Sequence, residues 1–223
     1  MAESISVIIP VGPGHEESVD RARLSVMAAQ DSAQYAGDVR CLVVDDTQGE
    51  LGRSKARNMA VESAKTDWVF FLDADDMMHP NAIQAWMNHE GHDAIWGTLR
   101  EQTGQYLVER YEVAPITSYE QLIKYPPAWT VKIGHFIRAD IARKYPFNED
   151  MNCGEDWDYY LRVWKHENCI KIPEPFYVKI AGNHSTGPKS ATGRDWTESV
   201  EGQLAEARKA FHEGGSAIVV DAY

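Results

Sequence analysis

The sequence predicts an α/β fold built on a Rossmann-like, mostly parallel central sheet with flanking helices, and three observations carry that prediction. Strand-sized apolar runs, Ile5 to Ile9, Val39 to Val44 and Trp68 to Leu72, fall within the first 75 residues. Stretches whose apolar residues recur at helical spacing separate them. Each run ends in turn-forming or acidic residues: Pro10-Val11-Gly12-Pro13-Gly14, Asp45-Asp46 and Asp73-Ala74-Asp75-Asp76. Runs apolar on both faces that alternate with helices indicate parallel strands covered on both sides. Ligands of such sheets bind beyond the carboxyl ends of the strands, where these three endings gather.

In chain order, Glu16-Glu17 open the first helical stretch, in which Val19, Ala22, Val26 and Ala29 sit three and four apart. Ser54 to Lys65 is the second helix, with Ser54 placed to cap it. His79-Pro80 leads a third helix to about His89, and Ala94 to Arg100 pairs with Gln105 to Val113 around a turn at Gly104. The second half is mixed rather than alternating. Glu155 to Glu167 is a strong helix, because Trp157, Tyr160, Leu161 and Trp164 share one face. Cys169 to Ala181 is extended, residues 182 to 194 carry no large apolar side chain and read as a mobile loop, and an amphipathic helix runs from about Trp196 to His212.

The chain of 223 residues is expected to form one domain: a ligand-binding half over about 1–100, a second half over about 101–181, the loop at 182–194 and a terminal helix and tail over 195–223. Its 22 basic residues face 34 acidic ones, for a net charge of −12, which repels nucleic acid and anionic lipid. The apolar runs are far shorter than a membrane span, which needs about 20 residues. Three scattered cysteines form no disulfide framework or zinc pattern, and the first residues lack a secretory signal, so the expected location is the cytoplasm.

Three clusters could carry chemistry. Asp73-Ala74-Asp75-Asp76 places three carboxylates at a strand end, where hard oxygen ligands suit Mg²⁺ or Mn²⁺; the same acids could instead cap the following helix. Gly154-Glu155-Asp156-Trp157-Asp158 opens a helix, where acids favour the dipole but are also placed to act as a general base. Gly52-Arg53-Ser54-Lys55-Ala56-Arg57-Asn58 concentrates cations at a helix start that would welcome a phosphate, or is a solvated helix face.

Taken in order, Ile5-Ser6-Val7-Ile8-Ile9-Pro10, Val43-Val44-Asp45-Asp46, Ser54-Lys55-Ala56-Arg57-Asn58, Phe70-Phe71-Leu72-Asp73-Ala74-Asp75-Asp76 and Gly154-Glu155-Asp156-Trp157-Asp158 with Arg162 resemble the family 2 glycosyltransferases of the GT-A fold. The resemblance spans roughly residues 4 to 181. It implies an inverting, metal-dependent transfer of a sugar from a nucleoside diphosphate donor, UDP-sugar first among the candidates, to a hydroxyl on a glycan, lipid-linked or small-molecule acceptor. The first 100 residues would then bind the nucleotide-sugar and the mixed second half the acceptor. Pro10 would border the nucleotide, Asp46 accept the base N–H, and Arg53 lie against base or phosphates. Asp73 and Asp75 would form the DxD pair, Asp75 ligating Mn²⁺ or Mg²⁺ and Asp73 near the ribose or a metal-bound water. Asp156 would be the catalytic base with Glu155 beside it, and His184 a third metal ligand.

Only five residues, Thr47 to Leu51, separate Asp46 from Gly52, where relatives insert a helix and a short strand, which implies a more open nucleotide pocket on that side. A haloacid-dehalogenase-like phosphatase also uses Asp-x-Asp after an apolar strand, but on its first strand. A sugar-1-phosphate nucleotidylyltransferase would need an arginine in the opening glycine-rich loop, which Gly12-Pro13-Gly14-His15 lacks, and a non-catalytic nucleotide-sugar-binding module predicts a degraded acidic pair, whereas Glu155-Asp156 and Asp73-Ala74-Asp75 are intact.

Overall fold

The computed structural model describes residues 2–89, 91–181 and 193–216, the side chains of 193 and 214–216 apart. β1 (Ile5–Val11) runs between β2 (Val39–Asp45) and β3 (Trp68–Phe71), parallel to both, and α1 (Val19–Ser32) and α2 (Arg53–Ser63) make the two crossovers. The remaining strands are β4 (Met77–Met78), β5 (Ala94–Thr103), β6 (Tyr106–Glu109), β7 (His135–Arg138) and β8 (Cys169–Ile180). The remaining helices are α3 (Ala82–Met87), α4 (Tyr119–Lys124), α5 (Ala139–Lys144), α6 (Glu155–His166) and α7 (Gly193–Ser216).

The sheet order is β2-β1-β3-β7-β5-β8-β4, with β6 folded back on β5. Side chains alternate across it and divide the core into two layers. Val7, Ile9, Phe70 and Phe136 face one side with Ala22 and Val26 of α1 and Trp86 of α3. Ile8, Phe71, Ile137 and Trp96 face the other with Ala60 of α2, Tyr159 and Tyr160 of α6 and Leu204 of α7. Both faces of the central strands are therefore buried, which explains why these runs are apolar at successive positions.

The register sets Val11 opposite Asp45 and Ile8 opposite Phe71, and the Asp46 amide continues the ladder by donating to the Val11 carbonyl at 2.8 Å. Pro10, Asp46 and Asp73 accordingly share one sheet edge, as expected from the sequence. Two further expectations are corrected. The first helix starts at Val19, because the Ser18 hydroxyl and amide both donate to the His15 carbonyl and hold Glu16-Glu17 in a turn. Ser54 does not cap α2: the helix is entered through Gly52 at φ +76, and the Ser54 hydroxyl is buried inside its first turn without a hydrogen-bond partner. The sheet has the expected mostly parallel character, since the β2-β1-β3 and β5-β8 pairings hold most of its paired residues, while β7 enters antiparallel to both its neighbours and β4 and β6 pair antiparallel as well. The loop expected at 182–194 falls, up to residue 192, outside the described residues, and His184 with it.

Candidate active site

Asp73, Ala74, Asp75 and Asp76 make a tight turn beyond β3, closed by the Asp76 amide donating to the Asp73 carbonyl at 3.1 Å. The three carboxylates are held by different partners. Asp73 Oδ1 accepts from Arg57 Nη2 at 2.7 Å. Asp76, 2% exposed, accepts from the Tyr177 hydroxyl at 2.8 Å and the Ile180 amide at 2.7 Å, both from β8. Asp75 presents its backbone carbonyl to Arg21 Nη2 at 2.8 Å, and its Oδ2 lies 3.9 Å from His15 Nδ1.

Electrostatics separate the three. Burial pushes the Asp73 carboxyl up, but Arg57, with Arg53 and Lys179 further off, holds it below the usual carboxylate range. Asp75 is raised by burial and then by Asp73, with His15 and Lys179 opposing. Asp76 is pushed up to about 7 by burial and by the Asp75 and Asp73 charges, against its two hydrogen bonds.

Across the edge, α6 begins with Gly154 in the left-handed region at φ +76, followed by Glu155 and Asp156. Glu155, 4% exposed, lies 3.5 Å from Arg57 Nη1 and 3.5 Å from Arg53 Nε. Burial and the neighbouring Glu155 push the Asp156 carboxyl up to about 7, with Arg57, the Trp157 amide and Arg53 opposing. Arg57 is therefore the hub. Its guanidinium joins the strand-end carboxylate to the helix-start carboxylate and sits over the Phe147 ring at 5.2 Å. Burial opposes its charge, and Asp73 and Glu155 more than offset that. In the sequence Arg57 stands out only as part of a motif; its signal is position, since Arg53 and Arg57 are i and i+4 on α2 and project from one face. His15, Arg21 and Tyr177 were missed because nothing local in the sequence links them to Asp75 or Asp76.

Asp46 is 7% exposed, and its two oxygens accept from the Leu51 and Gly52 amides at 2.8 Å each. The carboxylate therefore also closes the five-residue loop before α2, which accounts for how so short a connection is stable. Asn58 and Arg162 act as braces. Asn58 exchanges hydrogen bonds with the Phe147 carbonyl at 2.9 Å and amide at 2.8 Å, and Arg162 Nη2 donates to Asp158 Oδ2 at 2.6 Å and to the Pro146 carbonyl at 2.7 Å.

Asp75 and Asp73 supply hard oxygen ligands in a carboxylate-rich turn, a donor set that fits a divalent cation. Among the described residues no three His, Cys, Asp or Glu side chains converge on a point that could hold one.

A strand-end Asp-x-Asp facing a helix-start Glu-Asp across a Rossmann-like sheet defines a GT-A protein. The sequence profile of Glycosyl transferase family 2 matches residues 18–138, and the chain belongs to that family. An uncharacterized glycosyltransferase of Methanocaldococcus jannaschii is 23% identical over 156 residues, covering 66% of this chain and 52% of that protein. The teichoic acid poly(glycerol phosphate) polymerase of Staphylococcus epidermidis is 27% identical over 154 residues, covering 65% of this chain and 21% of the polymerase. The chain thus spans about half the length of the first relative and a fifth of the second. Among solved structures, S. aureus TarS 1-349 in complex with UDP-GlcNAc superposes with a TM-score of 0.62 at 14% identity, over 93% of this chain and 66% of that one. This likeness establishes the fold. Family membership sets aside the phosphatase and nucleotidylyltransferase readings. No helix among the described residues is long and apolar enough to cross a membrane.

Proposed function

We propose that this protein is an inverting, metal-dependent glycosyltransferase that moves a sugar from a UDP-sugar to a hydroxyl acceptor, with Asp156 as general base. The observation that carries the reading is Asp156 itself: a half-buried carboxyl at a helix start, pushed up to about 7 by burial and by Glu155, facing the same edge as the strand-end acids. Such a group is ionised enough at neutral pH to take a proton and basic enough to pull it.

In the proposed step, Asp156 takes the proton of the acceptor hydroxyl while that oxygen attacks the anomeric carbon. The bond from that carbon to the diphosphate oxygen breaks on the opposite face, inverting configuration, and the electron pair leaves with the nucleoside diphosphate. Asp156 then returns its proton to solvent. Mn²⁺ or Mg²⁺ held by Asp75 with Asp73 would supply charge neutralisation for the diphosphate. Arg57 keeps Asp73 ionised and Glu155 in register, so that the donor-side and acceptor-side acids keep a fixed separation. Arg53, Asp46 and Pro10 line the nucleotide side in this reading.

The structural neighbours support a nucleotide-sugar donor, since the TarS structure named above is a complex with UDP-GlcNAc and a second TarS 1-349 structure is a complex with UDP. A screen of UDP- and GDP-sugars for Mn²⁺-dependent hydrolysis, followed by Asp156→Asn, tests the proposal. Turnover in the variant should fall by roughly 10²-fold or more with UDP affinity near wild type. Because the base must be unprotonated, wild-type turnover should climb about tenfold per pH unit below about 7 and level off above it. A variant that keeps most of its turnover moves the role away from Asp156.

A further inference from the structure

α7 packs across the start of α6. Val200 and Leu204 of α7 are fully buried beside Trp157 and Leu122, and Arg208 Nε donates to the Ile123 carbonyl of α4 at 2.7 Å, which fixes the helix along its length. Its polar residues meet the turn that launches the acids. Gln203 Nε2 donates to the Gly154 carbonyl at 3.1 Å and to Ser199 Oγ at 3.2 Å, and Ser199 Oγ donates to the Cys153 carbonyl at 3.3 Å. The approach is close: a Cβ on Gly154 would stand 2.6 Å from Ser199 Oγ and 3.0 Å from Gln203 Nε2. Gly154 provides no side-chain cap to α6, and its carbonyl, which accepts from the Trp157 and Asp158 amides at 3.1 Å each, has Gln203 as its third donor.

We propose that Ser199 and Gln203 are positioning residues of this site: by gripping the Cys153 and Gly154 carbonyls they fix the peptide from which Glu155 and Asp156 project toward Arg57. The assignment rests on the reading of Asp156 as the base. A rotation of the Gly154 unit would swing both carboxylates, and displacement of a catalytic group by about 1 Å can cost on the order of 10²-fold in rate. The third helix-start acid, Asp158, is held separately by Arg162, so α7 acts on Glu155 and Asp156 in particular.

The experiment uses Gln203→Met, which keeps bulk and loses the donor, and Ser199→Ala, in the full chain. Neither alters the charged or titratable groups around Asp156: Glu155 and Tyr160 on α6, Arg53 and Arg57 on α2, Cys153, and Asp195 at the start of α7. The expected result is a melting temperature and a calorimetric UDP affinity in Mn²⁺ close to wild type. Turnover of UDP-GlcNAc should fall about tenfold or more. The Asp156 carboxyl titration, followed by ¹³C NMR on protein without substrate, should move by about half a pH unit or more. Unchanged titration and turnover in both variants overturn the proposal, as does a loss of stability that leaves titration and turnover per folded molecule intact. Asp156→Asn run alongside separates the two readings. If it retains turnover, the base assignment fails, while the titration still reports whether α7 sets the Asp156 environment.

Discussion

Arg57 is the residue on which the site's electrostatics turn, because it is 5% exposed and lies between two carboxylates from distant parts of the chain. Removing it would leave Asp73 and Glu155 without their shared cation, and Arg57→Ala should destabilise the fold by about 3–5 kcal/mol in urea melts. Arg57→Lys should recover only part of that, since a single ammonium cannot span both acids as the planar guanidinium does. Asp75 contrasts with it. Its carboxyl is buried and is raised by burial and by Asp73, so Asp75→Ala should leave the fold intact with a melt no lower than wild type at neutral pH while abolishing the Mn²⁺-dependent part of UDP binding in calorimetry; unchanged affinity would remove Asp75 from the metal. Asp156 has its own stability signature. Its folded carboxyl is raised to about 7 from the ordinary aspartate range, so the folded state holds the proton more tightly, and wild-type stability falls as pH rises through that window. Asp156→Asn should therefore raise the melting temperature more at pH 8 than at pH 5, as expected where function keeps a strained charge.

At the scale of elements, the parallel β2-β1-β3 unit and the start of α6 were legible because their signals are local: apolar runs, helical spacing and turn residues at the ends. β7, α4 and α5 were not. His135–Arg138 is four residues long, and its place between β3 and β5 is set by partners some 40 to 70 positions away, such as Ile137 opposite Val69 and Ala94. Ser54 was misread for a related reason: a serine at a helix start looks like a cap in sequence, whereas the loop closed by Asp46 draws the helix back to Arg53 and buries the hydroxyl. The extended run with Pro173 and Pro175 was read correctly, and the structure shows how it is accommodated. The β5–β8 register shifts between Trp96 and Leu99, where Gly97 lets the strands close up: a Cβ there would stand 2.4 Å from the Phe176 ring and 2.6 Å from the Glu174 carbonyl. Gly97→Ala should accordingly cost about 1–3 kcal/mol, read from denaturant midpoints, although alanine is ordinarily the milder residue in a strand.

For the whole molecule, the sheet order β2-β1-β3-β7-β5-β8-β4 has a consequence for synthesis on the ribosome. β3 is made early, yet its neighbour β7 starts at His135, and the Asp76 carboxylate after it waits for Tyr177 and Ile180, more than 100 residues downstream. The N-terminal strands therefore emerge well before the partners that complete their sheet, and the apolar flank of β3 stays open until β7 has been made. A chain arrested at residue 150 lacks α6, α7 and β8 and should show no cooperative melt. Near-complete chains should gain protease resistance abruptly once β8 has cleared the exit tunnel. The acids that crowd the strand ends then have a second use: before any partner arrives, their mutual repulsion discourages neighbouring nascent chains from pairing across the open edge.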